Sequence, residues 1–279
     1  MAMGDAFALK RGALEFESAP GEWSGETALT FALAESLVRH GGWNPRDIVD
    51  RFRQWWDAGY WSCRDRAFGA DRISVVAIRK RKGEPVDAAG GGVETGGLLR
   101  ALPVGLFFPR NSRLSELAGV ACKFTHDGEE AIETAGILGQ FFALLMAGWS
   151  RDEILDFSRW RSEGTSDQQM LENWPLFELL TTGSFLDRGA PIPPSKVGPA
   201  VVLLASMWHW AAASNSEQAW ERAWEGGWRA VAVFALIGAF FGGEGGLKDL
   251  EGDRPEELLY RKAIIRLSHH LFEGRLGNL

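Results

Sequence analysis

The sequence is poor in cysteine, with only Cys63 and Cys122 among its 279 residues. Two cysteines cannot build a disulfide framework, so small buried thiols in a reducing compartment are the simpler prediction. The first residues lack a basic segment followed by an apolar one, which argues against a secretory signal. The longest apolar runs, 197–213 and 230–243, are shorter than the roughly 20 residues that span a bilayer. We therefore expect a cytoplasmic protein with no membrane partner.

Positive charge is also scarce, with 30 Lys and Arg against 37 Asp and Glu and a formal net charge of −7. An acidic chain without a stripe of basic and aromatic residues repels phosphate backbones, so nucleic acid is not an expected partner. Aromatic residues are plentiful, with 13 Trp and 17 Phe, and they supply a large core. The length is compatible with a single domain over residues 1–279.

The stretch from Trp23 to Arg39, WSGETALTFALAESLVR, has the clearest helical pattern. Ser24 is a predicted N-cap whose side-chain oxygen would accept a hydrogen bond from a free N–H, and Glu26 and Thr27 fall in the first turn. Leucines then repeat every four residues among alanines, so the helix is apolar around most of its circumference and belongs inside a domain. Its polar first turn would open onto a site, because anions gather at helix N-termini.

This stretch resembles the metal-binding helix of the ADP-ribosylglycohydrolases, the family that includes the dinitrogenase reductase-activating glycohydrolases. Members read Thr-Asp-Asp-Thr followed by Leu-Ala-Glu-Ser-Leu. Here the LAESL run of Leu33 to Leu37 is intact, but Ser24-Gly25-Glu26-Thr27 replaces the acidic motif. The resemblance implies a compact all-α, single-domain fold, and it makes Thr27 a candidate for the ligand pocket.

Two N-terminal motifs resemble further elements of the family. GDAFALKRGALEF, residues 4–16, is similar to an opening Gly-Asp-Ala…Glu-Phe element, which makes Asp5 a pocket candidate and Glu15 the candidate substrate-side carboxylate. The alternative for Glu15 is a surface glutamate before the turn at Pro20-Gly21. YWSCRDRAFGAD, residues 60–71, resembles a loop ending in Phe-Asp-Ile-Gly whose aspartate contacts the nucleotide sugar. Asp71 is the nearest acid to that position.

Two central motifs carry the resemblance onward. ETGGLLRALPV, residues 94–104, is similar to Gly-Asn-Gly-Ser-Leu-Met-Arg-x-x-Pro-Val, whose glycines approach the diphosphate of ADP-ribose. Gly96, Gly97 and Arg100 are the matching candidates. His126 matches a family Thr-His pair before a long helix, where it would contact adenosine or ribose. The alternative is that His126 only holds the loop before its helix, for which Asp127 is the predicted N-cap. Residues 83–97 and 161–194 are expected to be loops.

The late family signature, Gly-Gly-Asp-Thr-Asp-Thr before an apolar helix, reads Trp228-Arg229-Ala230-Val231 in place of its acidic quartet. In the family, two Mg²⁺ ions lie between this motif and the first one. Paired divalent cations need several anionic oxygens in good geometry, and of four aspartates only Glu26 remains as a carboxylate. We therefore expect no metal and no cofactor. We predict that Arg229 pairs with Glu26 in the vacant cation site and that Trp228 fills the cleft.

Three functions follow from the resemblance. The favoured one is a catalytically degenerate protein that acts by binding, as an immunity protein that neutralises an ADP-ribosyltransferase toxin. A protein partner of that kind and ADP-ribose are then the expected ligands. The first alternative is an active hydrolase that removes ADP-ribose with a non-standard site, for which Glu15 and Glu26 are the vestigial catalytic candidates. The second is a structural protein without a working pocket.

Overall fold

The computed structural model describes residues 1–15, 17–81, 83, 95–156, 198–246 and 258–277. Throughout these ranges the secondary structure is helical and contains no strand, which confirms the all-α prediction. The α-helices are α1 (Ala2–Lys10), α2 (Gly25–His40), α3 (Pro45–Ala58), α4 (Arg72–Arg81), α5 (Ala101–Phe107), α6 (Leu114–Lys123), α7 (Glu129–Met146), α8 (Arg151–Leu155), α9 (Pro199–Ala211), α10 (Ser216–Glu225), α11 (Val231–Gly245) and α12 (Arg261–Gly277). A 3₁₀ turn, Gly96–Arg100, leads directly into α5.

The three helices α2, α7 and α11 form the centre of one continuous hydrophobic core. Helix α2 packs against α3 and α12, α7 packs against α5 and α6, and α11 packs against α1 and α9. Both α2 and α11 are buried along most of their length, as their continuous apolar pattern predicts. The described ranges contain no helix that combines the length and apolarity needed to cross a membrane.

Several helix ends follow directly from capping residues. Asn44 accepts a hydrogen bond from the Asp47 N–H ahead of α3, and Pro45 occupies its first position. Helix α3 ends at Gly59, whose left-handed backbone (φ 67°) favours glycine. Ser150 forms a reciprocal capping box with Glu153 at α8.

One predicted cap is wrong, because Gly128 rather than Asp127 is the N-cap of α7. Gly128 has an extended backbone, and no side chain caps the helix. Asp127 precedes the cap and is exposed to solvent. Of the two predicted loops, residues 84–94 and 161–194 lie outside the described part of the chain.

Candidate functional site

A cleft of about 230 Å³ opens between the N-terminal ends of α2 and α11. The loop before α4 and the 3₁₀ turn complete its wall, and Arg229 lies at its edge. Its lining is formed by Leu14, Ser24, Glu26, Gly69, Ala70, Asp71, Thr95, Gly96, Leu99, Arg229, Ala230, Val231 and Ala232. The fold therefore brings the first and last predicted motifs to one cavity, although they lie about two hundred residues apart along the chain.

Glu26 is the buried acid at the base of this cleft. One of its carboxylate oxygens, Oε2, accepts a hydrogen bond from Nη2 of Arg100 at 2.8 Å and another from the Ser74 hydroxyl at 3.2 Å. The other oxygen accepts the backbone N–H of Asp71 at 2.8 Å. Arg100 is 0% exposed and also donates to the Ser74 hydroxyl at 3.0 Å. Glu26 is thus held by a guanidinium, a hydroxyl and a backbone amide.

Asp71 joins four parts of the chain next to Glu26. Its Oδ1 accepts the N–H of Ser74 at 2.7 Å, which caps the start of α4. Its Oδ2 accepts the N–H of Gly96 at 3.1 Å and lies 3.0 Å from Nε2 of His126. The other ring nitrogen, Nδ1, lies 2.9 Å from the Thr125 hydroxyl. Because an ionised carboxylate only accepts, Nε2 of His126 is the donor in this contact.

The two acids of the cleft have opposite pKa shifts. Burial raises the pKa of Glu26, and the neighbouring charge of Asp71 adds to the effect, while Arg100 and His126 oppose it. Burial also acts to raise the pKa of Asp71, but the hydrogen bond and charge of His126, the Ser74 N–H and the charge of Arg100 together lower it. Asp71 is therefore stabilised as the anion, whereas for Glu26 burial disfavours the anion and the Arg100 contact favours it.

The glycines of the 3₁₀ turn permit its close approach to these acids. A β-carbon on Gly96 would lie 2.3 Å from the carboxyl carbon of Glu26, and one on Gly97 would lie 2.7 Å from Nδ1 of His126. Gly25 is equally restricted, since a β-carbon there would lie 2.5 Å from the Phe68 carbonyl oxygen and 2.6 Å from the ring of Trp55. A side chain at position 25 would require the backbone of Phe68 to move, and one at position 96 or 97 would require the side chain of Glu26 or of His126 to move.

A second buried acid, Asp5 of α1, lies on the other side of the first turn of α2. It accepts the N–H of Ser24 at 3.0 Å, the Ser24 hydroxyl at 2.7 Å and the Thr27 hydroxyl. Burial raises the pKa of Asp5 to about 6, and these hydrogen bonds only partly offset the effect. Ser24 is the N-cap of α2 by position, as predicted, but its hydroxyl serves Asp5 and makes no capping bond. The predicted capping role of its side chain is therefore wrong.

The sequence model of the ADP-ribosylglycohydrolase family matches residues 1–278, which is nearly the whole chain. The chain belongs to the ADP-ribosylglycohydrolase family. An uncharacterised protein of Archaeoglobus fulgidus is 24% identical over 246 residues, which cover 83% of this chain and 77% of the relative. A solved structure titled "ADP-ribosylglycohydrolase-related protein complex" has the same fold, with a TM-score of 0.76 and 22% identity over 98% of this chain and 94% of that one.

Arg229 of the late family motif does not make the contact that was predicted for it. Arg229 does not reach Glu26; its Nη1 donates to the carbonyls of Trp224 at 3.0 Å and Trp228 at 2.7 Å. Its guanidinium lies 3.8 Å from the centre of the Trp224 ring, and the residue is exposed. Arg229 is therefore held beside the C-terminal end of α10 and the turn that follows it. Carbonyl groups at a helix C-terminus and an aromatic face both attract a cation. The predicted Arg229–Glu26 pair is wrong, and Arg100 takes that place.

Other ADP-ribosylglycohydrolase positions also differ from expectation. Trp228 is 0% exposed in the core and does not line the cleft, so it does not fill it as predicted. Glu15 is exposed and lines a separate surface groove of about 920 Å³ with Arg64. This position fits the surface alternative for Glu15. Arg100 lies behind Glu26, where it cannot touch a ligand in the cleft.

Gly96, Asp71 and Glu26 do line the cleft as the family resemblance implies, and His126 contacts it through Asp71. Ser74, which the sequence analysis missed, connects Glu26 to Arg100. The sequence predicts a helix from about Asp71 to Lys82, which matches α4, because an aspartate is a favoured N-cap; the link from Ser74 to Glu26 has no local signal.

The described donors do not match the needs of two Mg²⁺ ions. Each carboxylate oxygen of Glu26 and Asp71 already accepts at least one hydrogen bond, and Arg100 supplies a positive charge beside Glu26. At the start of α11, where the family signature has acidic residues, the side chain that lines the cleft is Arg229. Across the described ranges, no three His, Cys, Asp or Glu side chains are arranged to hold a metal ion. Mg²⁺ requires near-octahedral oxygen ligands, which this set does not provide.

Proposed function

We propose that this ADP-ribosylglycohydrolase family member is a single domain, comprising residues 1–279, that acts by binding and without metal ions. The supporting observation is the internal neutralisation of the cleft: Glu26 is paired with Arg100, and Asp71 with His126 and two backbone N–H groups. Metal-dependent hydrolysis needs free carboxylates and an open coordination position. Side chains that already neutralise one another favour a recognition role over that chemistry.

The proposed ligand is an ADP-ribosyl group carried or presented by a protein. The cleft of about 230 Å³ is smaller than the roughly 300–1,000 Å³ typical of small-molecule pockets, so it would enclose only one end of such a ligand. The rest would lie outside against a partner. An ADP-ribosyltransferase toxin in the cytoplasm, neutralised by this chain as an immunity protein, is the version that the family context suggests.

A second candidate, an active hydrolase, is favoured by Glu26 itself. This carboxyl group lines the cleft and burial raises its pKa, which are properties of a general acid. In this alternative Glu26 would protonate the leaving group of the modified target while water adds to the anomeric carbon of the ribose, so that free ADP-ribose is released. The Arg100 contact opposes it, because a carboxylate paired with a guanidinium is stabilised as the anion.

Thermal unfolding with ADP-ribose separates these functions. We expect Tm to rise by roughly 5 °C at saturating ADP-ribose, equally in EDTA and in Mg²⁺. Ala230→Trp, which blocks the cleft lining, should abolish the rise. Ala200→Trp is the matched control, because Ala200 is also half-buried at the start of a helix but lies away from the cleft.

The other outcomes each contradict the proposal. A rise that requires Mg²⁺, or release of ADP-ribose from a modified protein, would establish the hydrolase. The absence of any rise would reject ADP-ribose as the ligand and favour the structural alternative. Co-purification with an ADP-ribosyltransferase, compared between the unmodified chain and Ala230→Trp, then tests whether the cleft receives that partner.

A further inference from the structure

Arg229 carries a positive charge at the edge of the cleft. The charged side chains that line the cavity are those of Glu26, Asp71 and Arg229. Glu26 is paired with Arg100, and Asp71 with His126. Arg229 has no anionic partner among the described residues. An exposed cation at the edge of a cavity whose acids are already paired is available to an anionic ligand.

The guanidinium of Arg229 is held in one orientation by its neighbours. Its Nη1 donates to the carbonyl oxygens of Trp224 and Trp228, and the group lies 3.8 Å from the centre of the Trp224 ring. Within the described ranges, Nε and Nη2 donate no hydrogen bond. These two nitrogens lie side by side on one edge of the planar group, and such an edge matches two oxygens of a phosphate or a carboxylate.

This orientation also lowers the entropic cost of binding. A long side chain that is free in solution loses rotamer freedom when it grips a ligand. The contacts with Trp224 and Trp228 already restrict Arg229 before any ligand arrives. Its Nε–Nη2 edge is therefore a preorganised donor pair.

The position of Arg229 reverses the charge of the family signature. Arg229 belongs to the Trp228–Val231 segment, which replaces the acidic quartet of metal-holding members. The helix that follows adds charge of the same sign, because α11 begins without a side-chain cap and a helix N-terminus has a positive partial charge. The start of α11 therefore favours an anion, where acidic residues would favour a cation.

We propose that Arg229 binds a phosphate group of the ligand at the mouth of the cleft through its Nε–Nη2 edge. The proposal deepens the proposed function and rests on it, because the ADP-ribosyl ligand carries two phosphates. Only one end of that ligand fits inside the cavity of about 230 Å³, so its diphosphate would lie near the rim, where Arg229 is found. Arg229 is then a specificity-determining residue that selects a phosphate-bearing ligand over a neutral one.

Calorimetric titration of the purified full chain with ADP-ribose tests the role of Arg229. We expect Arg229→Gln to bind roughly 10-fold or more weakly, because a hydrogen bond to a charged group is lost. Arg229→Lys should have an intermediate affinity, since it keeps the charge but not the paired donors. Between about 50 mM and about 500 mM NaCl, the affinity of the unmodified chain should fall more steeply than that of Arg229→Gln.

Arg222→Gln is the matched control. Arg222 donates to the carbonyl of Ala212 and lies 5.1 Å from the centre of the Trp208 ring, but it is not part of the cleft lining. The substitution removes the same charge and the same kinds of contact from a place outside the site. It should change the affinity for ADP-ribose by less than about twofold. A merely structural role for Arg229 would lower Tm and leave the salt dependence of binding unchanged.

Two results with ADP-ribose would overturn the proposal. One is an affinity of Arg229→Gln within about twofold of that of the unmodified chain. The other is an equal loss of affinity in Arg222→Gln, which would mean that only the general charge of the protein matters.

Titration with millimolar inorganic pyrophosphate separates this proposal from the proposed function. If the unmodified chain does not bind ADP-ribose, the proposed ligand is wrong, and pyrophosphate then decides the role of Arg229. Pyrophosphate binding that Arg229→Gln abolishes and Arg222→Gln retains would support a phosphate site at Arg229. Pyrophosphate binding that Arg229→Gln leaves unchanged, or no binding by the unmodified chain, would overturn it.

Discussion

Two clusters of buried acids lie on opposite sides of the first turn of α2, and they are neutralised by different means. Asp5 accepts hydrogen bonds from neutral donors, the N–H and hydroxyl of Ser24 and the hydroxyl of Thr27, and the N-terminal ammonium is the smallest of the influences that lower its pKa. Glu26 and Asp71 are paired with side chains that carry or accept positive charge, Arg100 and His126. Of these three acids, only Glu26 and Asp71 line the cleft.

The difference shows what each cluster contributes. Hydrogen bonds from neutral donors only partly offset the unfavourable free energy of burying a charged carboxylate. The pKa of Asp5 therefore stays raised, at about 6. Such an acid ties α1 to α2 and keeps its proton up to about pH 6. The cleft acids keep a charged network that is costly to bury and costly to break. We infer that the first cluster serves the fold and that the second sets the electrostatics of the site.

The largest expected effect comes from breaking the charged cluster on its acidic side. Glu26→Gln leaves the buried Arg100 without its anion, and loss of one member of a buried ion pair costs about 3–5 kcal/mol of unfolding free energy. Glu116→Gln, which breaks the exposed Arg113–Glu116 pair, is the control and should cost less than about 1 kcal/mol. Urea denaturation measures both.

A double substitution sharpens the same result. Arg100→Met/Glu26→Met replaces the pair by apolar side chains and should recover most of the stability that Glu26→Gln loses. Equal losses for Glu26→Gln and Glu116→Gln would mean that the buried pair is no more important to the fold than a surface one, and the distinction between the clusters would fail.

The second effect, in the neutral cluster, depends on pH. Because the pKa of Asp5 is about 6 in the folded chain against an ordinary 3.8, its contribution is fully present below about pH 4 and is lost as pH rises through about 6. The loss is at most about 3 kcal/mol. Asp5→Asn should remove this trend, so its destabilisation at pH 4 should shrink or reverse at pH 7.5.

Urea denaturation of Asp5→Asn and of the unmodified chain at both pH values checks this expectation. Asp127→Asn is the control, since Asp127 is exposed and should leave the pH trend unchanged. Parallel pH profiles for Asp5→Asn and the unmodified chain would show that Asp5 is not the source of the trend.

The fold could be predicted from local signals in the sequence. The Asn44-Pro45 start and Gly59 end of α3, together with the apolar pattern of α2, act over one or two turns, and each has one dominant structural solution. The family motifs identified the segments that meet at the cleft. Glu26, Asp71 and Gly96 therefore emerged as candidates before any distance was known.

The charge pairing within the site could not be predicted in the same way. An arginine beside Glu26 was the right kind of partner, but the choice between Arg229 and Arg100 depends on contacts across 74 residues and on competition from the carbonyls of Trp224 and Trp228. The role of Ser24 was similarly misjudged. A serine before a helix predicts a side-chain cap. No feature of the neighbouring sequence indicates that the Ser24 hydroxyl instead donates to the buried Asp5.

The smallest expected effect compares one serine from each cluster. Ser24→Ala removes a hydroxyl that lowers the pKa of Asp5, so its cost, about 2 kcal/mol, should be largest above pH 6, where Asp5 is ionised. Ser74→Ala leaves the direct Arg100–Glu26 contact at 2.8 Å intact and should cost about 1 kcal/mol. Urea denaturation at pH 5 and pH 8 distinguishes the two. If Ser24→Ala costs the same at both pH values, neutral donors do not control the ionisation of Asp5, and the contrast between the clusters rests on Arg100 alone.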